Sequence, residues 1–342
     1  IRDRKGVTAG TPLYSNLFNT RIFFMRVRVS APARLHLGDI DPFALGRFGY
    51  APIVAVDKPR TIIEVSPSDS LEVSGEPIEE ASVFAERVIK AYGLPGAMVK
   101  VLSSPPRHEG FGSTTSLALS IGRGIAEAYN LDLPLPELMR ALGRTSTGGL
   151  YTFDLGGFVV AGGLKGVKEG KRIFDVSRTE ALIPPLIHRS PLPGDWIFVV
   201  VRLLQRSKEV YGEVESKSFE RLSSLEPPKH LIHEGYYLIA SKLIPAVIEG
   251  DAEAFGEALT RIQMVAGRIY EPVQGSIFNP ASEWIIPIIK GQKPLGYGQS
   301  SWGPTLYAFV KGLDRAEAVA EGIQEEVKGR AEVFITEPDN RG

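Results

Sequence analysis

The 342-residue chain contains no cysteine, which excludes disulfide frameworks, thiolate nucleophiles, zinc ribbons and iron–sulfur clusters. Any catalysis must use oxygen and nitrogen groups. Net charge is also scarce: 39 Lys and Arg stand against 40 Asp and Glu, a balance of −1. The chain thus lacks the overall basic excess on which counterion-release binding to nucleic acid depends. Long apolar runs are missing. The longest, Trp196 to Leu204, is broken by Arg202 and falls well short of the roughly 18 residues that cross a bilayer. Neither nucleic acid nor a membrane is therefore an expected partner, and a cysteine-free composition fits a cytoplasmic protein of a hot environment. With 43% apolar residues, the length gives two ordinary globular domains or one large one.

Residues 1–24 lack the charged head, apolar middle and small-residue cleavage site of a signal peptide. Met25 reads as a start, with 1–24 as an upstream extension; a natural basic arm is the other reading, and both stay open. Charge is uneven. Residues 1–60 carry ten Lys or Arg against four acids, a balance of +6, which leaves −7 for the rest. That asymmetry suits an anionic ligand near the amino-terminal part, or simply a solvated basic surface.

From Met25 the pattern begins with strands. RVRVSAP alternates with period two, and APIVAVDKPRTIIEVSP gives two further β-rich stretches bounded by Pro. A helix follows over 78–92 and a strand over 97–102. Leu117, Ile121, Ile125 and Tyr129 then recur every four residues, one face of a helix closed by Asn130 and Pro134. Shorter elements follow: a helix over 136–142 and strands over 158–164 and 196–204. Ile232, Tyr236, Ile239, Leu243 and Val247 mark one long helix; Asp251 caps the next, with face Phe255, Leu259, Ile262 and Val265. A strand over 305–310, a helix over 315–328 and a strand over 331–335 complete the pattern. Without strict βα alternation, the fold is α+β with mixed or antiparallel sheets and packed helices. The polar segment between 164 and 196 is the expected junction, giving domains 25–185 and 186–342.

Chemistry concentrates in three segments. Gly110-Phe111-Gly112-Ser113-Thr114-Thr115 immediately precedes an amphipathic helix. Glycines let a backbone approach a ligand, and the first helical turn offers free N–H groups and a positive dipole end suited to phosphate. Arg107 and His108 flank it. The spacing fits neither a Walker loop nor a dinucleotide fingerprint, and a plain Ser-capped helix start is the alternative. The second segment runs from Ser30 to Asp41, where Arg34 and His36 lead into Asp39 and Asp41. The third is Gly298-Gln299-Ser300-Ser301-Trp302-Gly303-Pro304-Thr305. His36 could instead be satisfied by backbone, Trp302 could be core, and His230 with His233 form a helical pair lacking a third metal ligand nearby.

These segments, with Phe153-Asp154-Leu155-Gly156-Gly157, resemble the GHMP small-molecule kinase superfamily. Within it the chain is similar to the archaeal β-ribofuranosylaminobenzene 5′-phosphate synthase family, nearly everywhere from Met25 onward. Two departures matter. Superfamily kinases place a catalytic Asp about eight residues before the Gly-Gly pair, and here that count reaches Gly148-Gly149. Phe111, Thr114 and Asp39 also differ from the synthase pattern, Asp39 standing where an apolar residue is usual.

The resemblance implies a two-domain GHMP-kinase-like fold. It also implies transfer of ribosyl 5-phosphate from phosphoribosyl pyrophosphate to 4-aminobenzoate or 4-hydroxybenzoate, with loss of CO2 and pyrophosphate, in methanopterin-type cofactor synthesis. Asp41, Arg34 and His36 are then the expected catalytic residues. Mg²⁺ is the expected cofactor, met by Asp41 first and Asp39 second. Phosphates and the aromatic acid fall to Arg47, Arg107, Gly110, Gly112, Ser113, Thr114, Thr115, Arg144, Gln299, Ser300, Ser301 and Trp302, in a homodimer. An ATP-dependent kinase and a non-catalytic phosphometabolite binder are the competing readings.

Overall fold

The computed structural model describes residues 25–144, 148–165, 183–204, 221–222 and 224–342, and the backbone of two-residue strands at 8–9, 13–14, 23–24, 167–168 and 171–172. The extension 1–24, with Arg2, Arg4, Lys5 and Arg21 of the basic excess, lies outside the described residues apart from those strands. So does much of the expected junction.

The amino-terminal sheet is organised by one long strand. β1 (Val27–His36) pairs antiparallel with β2 (Phe48–Pro67), which runs for 20 residues where sequence suggests two stretches. Their register slips between Ala31 and Ala33, opposite Asp57–Arg60. Past that irregularity β2 serves two different partners. Its start pairs with β5 (Phe158–Leu164) and its end with β4 (Ala97–Ser103), which also pairs in parallel with β3 (Leu71–Ser74). β6 (Leu186–Ser190) closes the edge beyond β5. In β1 the inward–outward alternation holds to Ser30 and then gives way to burial interrupted only at the partly exposed Arg34, because the carboxy-terminal half covers the far side.

Behind this sheet lie α1 (Ile78–Tyr92), α2 (Ser113–Ala128), α3 (Leu135–Ala141) and α4 (Gly149–Leu155). α2 is buried on nearly every side because its small residues admit close neighbours. A Cβ at Gly122 would stand 2.7 Å from Leu138, and one at Gly124 would stand 2.7 Å from Val65. The second sheet has the order β8 (Gly296–Gln299), β9 (Leu306–Lys311), β7 (Trp196–Leu203), β10 (Ala331–Thr336), all antiparallel. One face carries α8 (Ile286–Gly291) and α9 (Leu313–Val327). Against the other pack α5 (Lys229–Leu238), a π-turn at Ile239–Leu243, α6 (Ile244–Glu249) and α7 (Ala252–Gln274). Pro245 lacks the N–H that an α-ladder needs, which accounts for the π-turn. Asp251 caps α7 by accepting the Ala254 N–H at 2.9 Å.

The largest core belongs to both halves: Leu35, Val54, Phe111 and Phe158 pack with Trp196, Phe198, Phe255 and Tyr307. After β10 the chain returns to β2. Asp57 N–H donates to Glu337 O and Asp339 N–H to Ala55 O, and Arg60 pairs with Asp339 at 2.5 Å.

Candidate active site

The site grows from the end of β1. Arg34 and His36 are two residues apart, so their side chains share one face of the strand. Arg34 reaches toward the loop before α2, where Nη1 donates to Gly110 O at 2.6 Å. The loop can meet it only because it is glycine. Gly112 has φ 72°, and a Cβ there would lie 2.9 Å from Arg34 Cγ; Gly110 has φ 92°, and its Cβ would lie 2.2 Å from Ser300 O. α2's first ladder bond runs from Ser116 N–H to Gly112 O, leaving Ser113, Thr114 and Thr115 N–H ahead of the ladder at the positive end of a 16-residue helix.

Ser300 ties three segments together. Its hydroxyl donates to Gly110 O at 2.6 Å and accepts His36 N–H at 3.0 Å, with Arg34 Nη1 at 3.4 Å. Beside it, Gln299 N–H donates to Gln263 Oε1 at 2.8 Å, and Gln299 Nε2 donates to Gln274 Oε1 at 3.1 Å and Ser301 O at 2.7 Å. These bonds fix all three amides. A Cβ at Gly303 would meet Glu109 C at 2.5 Å, so this loop lies directly on the glycine loop. Arg202 of β7 holds Glu109 at 3.3 Å and Glu332 at 2.6 Å, joining the same regions by charge.

Between the halves opens a cleft of about 250 Å³ whose walls include Arg34, His36, Asp39, Gly148, Gly149, Gln263, Tyr270, Gln274, Gln299, Ser301 and Trp302. Part of the wall is aromatic: Tyr270 and Trp302 meet edge to face with centroids 4.8 Å apart, and Ile277 also lines the cleft. Burial, and then the Arg34 charge, hold His36 down to about 3, so its imidazole is neutral. Among the described lining residues Asp39 is the only carboxylate.

Several expected site residues sit elsewhere. Asp41, expected to face a metal, is fully buried and does not line the cleft. Its carboxylate accepts the N–H groups of Leu45, Gly46 and Arg47 at 3.0, 2.7 and 3.0 Å and the Tyr236 hydroxyl at 3.0 Å. It anchors the turn leading to Phe48 and Gly49, which do line the cleft. Arg47 is spent on Gly162 O and Gly163 O, and Arg107 is half exposed and pairs with Glu80 at 3.3 Å. Arg144 contacts Thr115 Oγ1 at 3.5 Å, on the α2 side. Ser300 is a buried strut and Phe111 is core, contributing roughly 1.5–3 kcal/mol by burial. Asp39 takes the place in the cleft expected first of Asp41. The parity of β1 ends at His36, and Gly38 at φ 137° turns the backbone.

Gln263, Tyr270 and Gln274 are wall residues that the sequence reading misses. Their signal is a second stripe on α7, at spacings of seven and four with Ala266 and Gly267 between, behind the apolar face that defines the helix. Among the described residues no group of three or more Asp, Glu or His is arranged for a metal, and His230 and His233 gain no third ligand. A single carboxylate fits an ion such as Mg²⁺ that takes most of its ligands from substrate phosphate and water. No helix among the described residues is long and apolar enough to cross a membrane.

Two sheets with a glycine loop leading into a buried helix define a GHMP-kinase-type protein. Residues 80–157 match the GHMP kinases N terminal domain and residues 243–329 the GHMP kinases C terminal model. The L. major mevalonate kinase structure in complex with R-mevalonate superposes with a TM-score of 0.65 at 14% identity, covering 98% of each chain. Within that class the chain belongs to the beta-ribofuranosylphenol 5′-phosphate synthase family. It is 32% identical over 330 residues to the Archaeoglobus fulgidus synthase, covering 92% of this chain and 98% of the relative. To the Methanothermobacter thermautotrophicus synthase it is 28% identical over 328 residues, covering 92% and 97%. Gly148 stands where the kinase Asp is counted, and a Cβ there would lie 1.6 Å from Ile53 Cδ1.

Proposed function

We propose that this protein transfers ribosyl 5-phosphate from phosphoribosyl pyrophosphate to a 4-substituted benzoate, releasing CO2 and pyrophosphate. The observation that carries the reading is one cleft walled both by Arg34, which also bonds Gly110 of the glycine loop, and by the Tyr270–Trp302 pair, in a chain that matches the synthases over 97–98% of their length. The relatives are named for a ribofuranosylphenol 5′-phosphate, which is what 4-hydroxybenzoate would give, so that acid is the preferred acceptor. The C1–diphosphate bond breaks as the ring carbon bearing the carboxylate bonds to C1. The electron pair of the carbon–carboxylate bond then returns to the ring as CO2 departs. No proton need leave that carbon, so the chemistry does not ask for the kinase Asp that Gly148 replaces. Arg34 with the Ser113–Thr115 N–H groups would hold phosphate, and the Tyr270–Trp302 wall would seat the ring. Asp39 is the carboxylate that would meet Mg²⁺, which when bound would neutralise charge on the diphosphate.

The test is release of labelled CO2 from carboxyl-labelled 4-hydroxybenzoate with phosphoribosyl pyrophosphate and Mg²⁺ in the absence of ATP, with 4-aminobenzoate run in parallel. Silence with both acids, alongside ATP turnover with an alcohol, overturns the reading in favour of a kinase.

A further inference from the structure

His36 lines the same cleft as Arg34, Tyr270 and Trp302. Arg34, roughly 6–7 Å before it along β1, touches Gly110 and lies against Gly112. Gly38, two residues beyond it, abuts α7, where a Cβ would lie 2.8 Å from Ile262 and 3.5 Å from Ala266, one turn before Tyr270. The backbone of His36 is held from the other half of the molecule: its N–H donates to Ser300 Oγ at 3.0 Å and its carbonyl oxygen accepts from the Tyr307 hydroxyl at 3.4 Å. Nδ1 accepts the Gly38 N–H at 3.4 Å. A neutral imidazole with an acceptor at Nδ1 carries its proton on Nε2.

We propose that His36 Nε2–H donates a hydrogen bond to an oxygen of the ribosyl group of the bound phosphoribosyl donor; this rests on the function proposed above. A neutral donor suits that spot because positive charge grows on the sugar as diphosphate leaves, and an imidazolium there would oppose it. The same burial and Arg34 charge that depress its basicity keep it neutral. The charged or titratable groups around it are Arg34 on β1, Asp39 beyond its end, Tyr270 on α7 and Tyr307 on β9. Its role is hydrogen-bond donation, not proton abstraction.

Two measurements test this. Long-range ¹H–¹⁵N spectra of histidine-labelled protein, with the His36 signals assigned by their loss in His36→Gln, should show the Nε2–H form unchanged from pH 5.5 to 8.5. A proton on Nδ1, or titration within that range, overturns the proposal. Kinetically, His36→Ala should lower kcat/KM for phosphoribosyl pyrophosphate about 100-fold while the aromatic acid keeps its wild-type KM. His36→Gln, whose Nε reaches nearly as far, should recover to within about tenfold of wild type, and His36→Asn should not. A loss seen only as a raised KM for the aromatic acid, equal losses in Gln and Asn variants of wild-type thermal stability, or no loss in any variant overturns it. Absence of turnover by the wild-type protein removes the underlying function, whereas wild-type turnover with an indifferent His36→Ala removes this inference alone.

Discussion

Ser300 Oγ lies 2.6 Å from Gly110 O, a hydrogen bond across 190 residues of sequence that fastens the carboxy-terminal loop to the glycine loop. The same hydroxyl accepts the buried His36 N–H. Ser300→Ala leaves a buried donor and acceptor with one partner fewer, at a cost of about 1–3 kcal/mol. Chemical denaturation should show that loss, and the KM for phosphoribosyl pyrophosphate should rise, because Arg34 and the loop lose their common support. Unchanged stability and KM would mean that the loop holds its shape alone.

Asp41→Asn should be felt first in folding. Four donors converge on the carboxylate, and an amide would turn an NH2 group toward some of them. The expected loss is about 3 kcal/mol or more, with activity falling in step as the turn before Phe48 loosens. A variant of wild-type stability whose activity drops only through its Mg²⁺ dependence would return Asp41 to the metal site.

Gly148→Asp would put a carboxylate eight residues before the Gly156-Gly157 pair, the count at which the superfamily kinases are expected to carry theirs. With Ile53 Cδ1 1.6 Å from the new Cβ, the wall must move, at about 1–3 kcal/mol for an overpacked site. The variant should lose CO2 release and gain no ATP turnover in a coupled assay; a kinase activity appearing on this background would show that the fold still accommodates the other chemistry.

Trp302→Ala removes half of the Tyr270–Trp302 pair, worth about 0.5–1.5 kcal/mol beyond its buried area. The aromatic acid's KM should rise about tenfold or more, while that for phosphoribosyl pyrophosphate should move little. A rise in the second KM alone would place the ring elsewhere.

Arg60 and Asp339 should make stability acid-sensitive. Burial pushes the Asp339 carboxyl up, but the Arg60 hydrogen bond, the N–H groups of Arg341 and Gly342 and the Arg60 charge overcome it and hold it below the usual Asp range. The unfolded chain therefore takes up the proton first as pH falls. The contribution is complete above the unfolded value near pH 4 and is lost as pH drops through the lower folded value. Asp339→Asn should flatten urea-denaturation stability between about pH 5 and pH 3 relative to wild type; an identical slope would show that the pair contributes nothing.

Much of this was legible in residue order where periodicity or punctuation controlled the backbone. The four-residue recurrence from Leu117, the Asp251 cap and the glycine-rich loop each specify local geometry without help from elsewhere. The relative placement of Asp39 and Asp41 was not legible, because the strand itself stops at His36 and Gly38, at φ 137°, turns the backbone before either residue. Nor was α4, seven residues starting at a glycine pair and carrying no helical repeat long enough to read. The α7 stripe of Gln263, Tyr270 and Gln274 stayed hidden since polar residues on an amphipathic helix ordinarily face water, and only the opposing loop turns this side inward.

The return of residues 337–339 to β2 also has a consequence for synthesis. Ala55 and Asp57 acquire their partners from residues translated roughly 280 positions later, which at 5–20 residues per second is on the order of 15–60 s. Until then the middle of the longest strand leaves the ribosome with backbone groups awaiting those partners. Completion of the amino-terminal sheet is thus a late, post-chain event, and a nascent chain stalled before residue 337 would present that stretch of β2 to whatever chaperone or neighbouring strand it met first.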